Sequence, residues 1–206
     1  MKAFYLAALL LAVIGGVAST KSRDQPVQGE DLSKYVSNCS DGWRITGYFT
    51  PIESDYPSTA TNEIEVVGVG KMSFNAEFLR VVFNDEEGFG EGWGKTRFGW
   101  YLGNYNDRWH KSNDPLDANN TALKQNSIAV DNALIPNGSS VTIPGLPGVY
   151  GKTEYLANDV GVTVHGKHID IYTGEGKAAE REMYRVTFEE DDELQRVCFQ
   201  RPQDNK

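Results

Sequence analysis

Two carboxylates, Asp159 and Asp170, stand eleven positions apart in the segment NDVGVTVHGKHIDIYTGEG, residues 158–176. Asp170 lies inside the apolar run Ile169–Tyr172, where an isolated carboxylate costs free energy unless its surroundings use it. The alternation of Val160, Val162 and Val164 predicts a strand. A turn at Val164-His165-Gly166-Lys167 then folds residues 168–172 back and brings the two carboxylates toward one another. Two neighbouring carboxylates repel, so one keeps its proton toward neutral pH. A retained proton is what general acid catalysis at a glycosidic oxygen requires.

Other chemistry is poorly served by this sequence. His110, His165 and His168 have no zinc spacing, and His168 is expected to orient its neighbours and to take part in binding the substrate. There is no nucleophile elbow, phosphate-binding loop or dinucleotide fingerprint, so neither a metal nor a cofactor is expected. The stretch Phe83–His110 interleaves glycine with Phe89, Trp93, Phe98, Trp100, Tyr101, Tyr105 and Trp109. Aromatic faces beside polar groups are what pyranose rings pack against. Trp93 and Trp109 are the predicted sugar platforms.

The elements that must hold these residues are strands. Short β-branched and aromatic runs alternate with Gly, Pro, Asn and Asp clusters, at Trp43–Thr50, Ile64–Val69, Leu79–Phe83, Ser127–Val130, Ser140–Ile143, Tyr155–Ala157, His168–Tyr172, Tyr184–Phe188 and Arg196–Gln200. That pattern predicts a mostly β sandwich or barrel. The best helical signal is Gly176–Met183, with a brief one at Phe74–Leu79.

The 206 residues suit one domain. Met1-Lys2, an apolar run to Ile14 and the small residues Gly15–Ala18 read as a signal peptide over residues 1–18, too short to span a bilayer. A polar lead-in over 19–35, a folded domain over 36–202 and a loose tail over 203–206 complete the expected organisation. A secreted protein without a stable membrane anchor follows. Its formal net charge of −9 argues against nucleic acid as a partner. Cys39 and Cys198 are the two cysteines, and an oxidising compartment allows them to pair.

Motifs in three places resemble a known family in order along the chain. Residues 159–172, Asp-Val-Gly-x-x-x-x-Gly-x-His-x-Asp-Ile-Tyr, followed by Gly174-x-Gly176 and Ala178, resemble the catalytic segment of membrane-bound lytic transglycosylase A and the stand-alone 3D domains, named for three aspartates. Ile45-Thr46-Gly47-Tyr48-Phe49-Thr50-Pro51 is similar to the transglycosylase's opening Gly-Tyr-Tyr-Thr-Pro motif, and Ser127-Ile128-Ala129-Val130-Asp131 with Ile135-Pro136-x-Gly138 to the first aspartate motif of the 3D family. The resemblance implies a six-stranded double-psi β-barrel with short helices, here carrying the aromatic and Gly-rich insert. It implies Asp170 as general acid and base, Asp159 as a supporting carboxylate, Asp131 as a structural or groove aspartate, and Tyr48 and Thr50 lining the groove. Val162 stands where the family has a second glycine, and the larger enzyme's second, substrate-gripping domain finds no room in this length.

The activity implied is cleavage of the MurNAc–GlcNAc β-1,4 bond of peptidoglycan, or a related β-1,4 glycan, by a lytic transglycosylase forming a 1,6-anhydro product. Two alternatives stay open. One is a β-1,4-glucan endoglucanase using two carboxylates; the other is an expansin-like wall-binding module that cleaves nothing.

Overall fold

The computed structural model describes residues 37–84, 86–188 and 194–201. The expected signal peptide, lead-in and tail lie outside them. The described elements, in chain order, are β1 (Ser37–Thr50), β2 (Thr61–Val66), β3 (Gly70–Asn75), α1 (Ala76–Val82), β4 (Trp93–Lys95), β5 (Tyr101–Tyr105), β6 (Arg108–Ser112), β7 (Ser127–Val130), β8 (Ser140–Thr142), β9 (Tyr155–Asp159), β10 (His168–Glu175), α2 (Gly176–Val186) and β11 (Gln195–Gln200). No helix among the described residues is long and apolar enough to cross a membrane.

Six strands close a barrel in the order β1-β10-β7-β9-β8-β11, and the other five form a separate sheet in the order β3-β2-β6-β5-β4. Side chains alternate across a strand, so Trp43 and Ile45 of β1 and Ile169 and Ile171 of β10 point inward. They join Ile128, Val130, Val141, Tyr155, Val197 and others in one buried core. The intervening Arg44, Thr46 and Tyr48 face outward beside His168, Asp170 and Tyr172, their direct partners in the parallel β1–β10 pairing. That register assembles a polar ladder on the outside of an apolar barrel.

Helix α2 seals the barrel by placing Val186 in the core. Gly47 makes this possible, since a Cβ there would lie 2.8 Å from Val186 and 2.9 Å from the Met183 backbone. The segment 184–188, expected as a strand, instead continues α2 to Val186, and only an isolated bridge from Phe188 to Ile45 remains extended. Burial of Val186 at the end of the helical stripe overrides the local β-propensity.

The insert between β1 and β7 has its own core of Tyr56, Val66, Phe74, Phe78, Leu79, Val82 and Leu102. The expected strand over 79–83 is helix α1 instead. Asn75 caps it, its side chain accepting from the amides of Glu77 and Phe78, and Phe78, Leu79 and Val82 are buried on one face at helical spacing. The expected strand over 160–164 is a loop, with Val160 49% and Val162 75% exposed. Neither residue has a partner strand or a core to enter. The aromatic and Gly-rich stretch supplies β4, β5 and most of β6, which local sequence signals assign to no element, and these join β2 and β3 in the second sheet, with the strand expected over 64–69 found as β2, Thr61–Val66.

Cys39 of β1 and Cys198 of β11 are directly paired in the barrel and joined by a disulfide across a separation of 159 residues. Closing a loop of that size restricts the unfolded chain, by roughly 4 to 5 kcal/mol in the entropic account. The Cys39→Ser/Cys198→Ser double variant is expected to lose roughly 2 to 5 kcal/mol in denaturant unfolding. An unchanged midpoint would remove the bridge from the set of stabilising contacts.

Candidate active site

The outer ladder of β1 and β10 carries a directional hydrogen-bond chain. Thr46 Oγ1 lies 2.8 Å from Asp170 Oδ1 and 2.8 Å from His168 Nε2, while Arg44 Nη2 lies 2.8 Å from His168 Nδ1. A guanidinium can only donate, so Nδ1 accepts and the imidazole proton sits on Nε2. Nε2–H donates to Thr46, leaving the threonine's single proton for Asp170. The longer 3.3 Å approach of Nδ1 to the Thr163 carbonyl is then a contact between two acceptors, and the shorter bond from Arg44 decides the tautomer. His168 is 4% exposed and sits behind Asp170 as an orienting group, outside the cleft.

Asp170 lines a cleft of about 250 Å³ together with Tyr48, Glu91, Trp93 and Asp159. Asp159 comes from the end of β9, where its Oδ2 accepts from the Tyr48 hydroxyl at 2.7 Å and its Oδ1 from the Val160 amide at 2.9 Å. Burial raises the Asp159 pKa above the ordinary carboxylate value, against the lowering effect of these two donors. Burial, and after it the charge of Asp159, pushes the Tyr48 hydroxyl well above its usual range, so it stays a donor. Trp93 enters from β4, with its ring over Gly103, where a Cβ would lie 2.6 Å away.

Other predicted site residues sit elsewhere. Asp131 follows β7 and accepts from the Gly166 amide at 2.8 Å and the Ala133 amide at 2.9 Å, which together hold its carboxyl below the usual range. It fixes the turn into β10, and it does not line the cleft. Thr50 is buried and bonded to the Tyr172 hydroxyl at 2.9 Å. Trp109 lies edge-on to Phe83 and lines a different groove with Glu77 and Arg80.

Three residues escape the sequence reading: Arg44, Thr46 and Glu91. Arg44 and Thr46 precede a quoted motif or belong to it, yet only the β1–β10 register shows their role. Glu91 is recognisable as a lone carboxylate between Gly90 and Gly92 inside the aromatic stretch. Its Oε2 accepts from the Phe49 amide at 2.8 Å. Burial pushes its pKa up to about 8, with the nearby charges of Asp170 and Glu180 adding and the Phe49 amide opposing. Among the described residues no three metal-binding side chains converge.

The fold and site define a β-barrel whose outer strand ladder presents an oriented carboxyl to a cleft walled by an inserted sheet. Residues 126–186, from β7 to the end of α2, match the family model of the 3D domain. The match contains both Asp159 and Asp170. No curated protein sequence matches the chain. Among solved structures, that of Escherichia coli MltA with bound chitohexaose is similar, with a TM-score of 0.54 and 15% identity over 79% of this chain and 73% of that one. MltA from Neisseria gonorrhoeae gives a TM-score of 0.47 and 11% identity over 82% and 74%. The lytic transglycosylase LtgG of Burkholderia pseudomallei gives 0.41 and 14% over 80% and 71%. The chain thus carries a 3D-domain segment within a mostly β fold similar to that of E. coli MltA.

Two stability measurements check this geometry. Thr46→Val removes the acceptor of a buried imidazole N–H and a hydroxyl donor to the Asp170 carboxyl, and is expected to cost about 1 to 3 kcal/mol, with Thr46→Ser near wild type. The second concerns Glu91. Between its ordinary pKa of 4.5 and about 8, the folded protein holds a proton that the unfolded chain has released, so stability falls as pH rises through that window. Glu91→Gln is expected to flatten this component; an identical pH dependence in variant and wild type would contradict the assignment.

Proposed function

We propose that this protein is a secreted lytic transglycosylase that cleaves the MurNAc–GlcNAc β-1,4 bond of peptidoglycan with Asp170 as its single general acid and base. The observation that carries the reading is the position of Asp170: in the cleft, fixed by the Arg44–His168–Thr46 chain, within the segment that matches the 3D domain. The chitohexaose bound to the similar E. coli MltA supports a β-1,4-linked amino-sugar polymer as the ligand. The barrel is assigned to the double-psi type. Exchanging β1 with β9, β7 with β10 and β8 with β11 maps the strand order and every pairing direction onto itself, the internal symmetry such a barrel requires.

In the reaction, protonated Asp170 transfers its proton to the glycosidic oxygen as the bond from that oxygen to the muramyl C1 breaks. The resulting carboxylate accepts the proton of the same sugar's C6 hydroxyl as O6 attacks C1. Products are a free GlcNAc hydroxyl and a 1,6-anhydro ring, Asp170 regains its proton, and no water is consumed. Thr46 fixes the carboxyl in line with both oxygens, a positioning effect. Trp93 offers a face for a sugar ring, and Asp159 with Tyr48 holds the cleft's far wall.

Glu91 gives a second reading some support, because an inverting hydrolase needs a second carboxyl to activate water. That role requires the ionised form. A carboxyl that keeps its proton up to about pH 8 is a poor base at neutrality, which favours the single-acid route. Digestion of purified sacculi is expected to release anhydromuropeptides, with Asp170→Asn abolishing release while the thermal transition is retained. Reducing muramic acid ends would point to hydrolysis instead, and binding to insoluble glycan without release to an expansin-like module.

A further inference from the structure

Glu91 is held as firmly as a residue of the barrel. The amides of Glu91 and Gly92 donate to the carbonyls of Val81 and Val82 at 3.0 and 3.1 Å, so the loop takes up acceptors that the end of α1 leaves open. Gly90 allows this approach, since a Cβ there would lie 2.5 Å from the Val82 carbonyl oxygen. The side chain then reaches β1, the strand that carries Thr46 and Tyr48, and binds the Phe49 amide through Oε2. An oxygen that accepts from an amide is the carbonyl oxygen of a carboxylic acid, which places the acid's proton on Oε1. Among the described residues no protein N–H or O–H donates to Oε1, and the Phe49 amide is the one donor to this carboxyl. Glu91 lines both the cleft shared with Trp93 and Asp159 and the adjoining hollow with Arg80 and Asn84, and Asp170 lines both as well. The result is a carboxyl anchored at one oxygen by the Phe49 amide, with its other oxygen left for a ligand of the cleft that Asp170 also lines.

We propose that Glu91 is a specificity-determining residue that donates its carboxylic proton to the acetamido carbonyl oxygen of a bound amino sugar. This rests on the glycan-cleaving reading of the same cleft. An amide carbonyl is the strongest neutral acceptor on such a polymer, and a plain glucan has none. A site built to donate to that oxygen leaves its donor unpaired when a glucan enters, so discrimination comes from the lost bond. Burial keeps the acid protonated, and above its pKa the same oxygen becomes an acceptor that repels the carbonyl. The titratable groups around it are Asp170 from β10, Tyr48 from β1, Asp159 from β9, Arg80 from α1, Glu180 from α2 and Glu87 of its own loop. Because several of these also carry charge, the isosteric amide is needed to isolate the effect.

The test is calorimetric binding of chitohexaose and cellohexaose from pH 5.5 to 9.5 to wild-type protein, Glu91→Gln and Glu91→Leu, each carrying Asp170→Asn to prevent turnover. The protein with Glu91 intact is expected to prefer chitohexaose by about tenfold at the lowest pH, the factor carried by one net hydrogen bond of roughly 1.4 kcal/mol, and to lose that preference as pH rises toward about 8, the break lying on the lower side because Asp170→Asn removes one of the charges that raise Glu91. Glu91→Gln, which keeps an N–H donor, is expected to hold the preference across the whole range. Glu91→Leu should lose it at every pH. The proposal is overturned if Glu91→Leu discriminates as wild type does, or if the break near pH 8 persists in Glu91→Gln. Should the leucine variant fail to fold, the pH profile of the glutamine variant decides alone. Binding is read without catalysis, so absence of anhydromuropeptides from sacculi would defeat the transglycosylase reading and leave this result standing.

Discussion

The parallel register of β1 against β10 is the constraint on which both the core and the site depend. Pairing Thr46 with Asp170 and Arg44 with His168 puts the polar ladder on one face of the two strands and Ile45, Ile169 and Ile171 on the other. A slip of β10 by one residue would turn Asp170 and His168 into the apolar core and expel Ile169 and Ile171. The hydrophobic effect that closes the barrel therefore also fixes the geometry of the candidate site. No separate device is needed to choose the face that Asp170 occupies, only the hydrogen bonds that choose its rotamer.

The inserted sheet completes what the barrel cannot supply. Its own core of aromatic and aliphatic side chains lets it stand as a rigid wall, and several contacts tie it to the ends of β1 and β10. The Lys95 amide donates to Pro51 at 2.8 Å, the Lys95 ammonium lies 3.1 Å from Glu175, and the Tyr101 hydroxyl donates to the same carboxylate at 2.5 Å. Glu175 closes β10 five residues after Asp170. The strand that presents Asp170 is thus gripped at its end by the wall that faces it, so cleft width is set by covalent distance along one strand and by hydrogen bonds that bridge to the insert.

Much of this is legible in the sequence, and the failures have a common cause. Asp159 and Asp170 can be placed together because the glycine turn before β10 is a local signal, although the Val160-Val162-Val164 alternation leads to a strand where the structure has a loop. The strand over 127–130 and the helix after Gly176 are legible for the same reason. Helix α1 is half legible: the brief helical signal over Phe74–Leu79 covers its start, but its β-branched end, Val81-Val82, has strand-like propensity, and only burial beside Phe74 and Leu102 decides the outcome there. Residue type assigns Thr50 and Trp109 to a groove, yet burial against Tyr172 and packing on Phe83 depend on partners far away in sequence. Arg44 and Thr46 are overlooked for a further reason: the chain from guanidinium to imidazole to hydroxyl to carboxyl joins two strands more than a hundred residues apart, with |i−j| of 124 and 122 in its links, and no spacing rule along one strand can reveal it.

An acidic protein that gathers Asp159, Asp170 and Glu91 about one small cleft faces a charge problem, and the structure meets it with protons and neutral donors. A cation close to Asp159 or Glu91 would lower that carboxyl's pKa; Arg80 lines the adjoining hollow and not the cleft itself. Arg44 is the guanidinium on the ladder, and His168 and Thr46 relay its orienting effect to Asp170 without putting its charge beside that carboxyl. Tyr48 gives Asp159 a hydrogen bond while adding no charge. Burial supplies the rest, raising Asp159 and holding Glu91 protonated to about 8. The apolar lining of the cleft, Trp93 and Val164 among it, therefore has an electrostatic consequence as well as a packing one: by excluding water it keeps acids in the form that can donate protons.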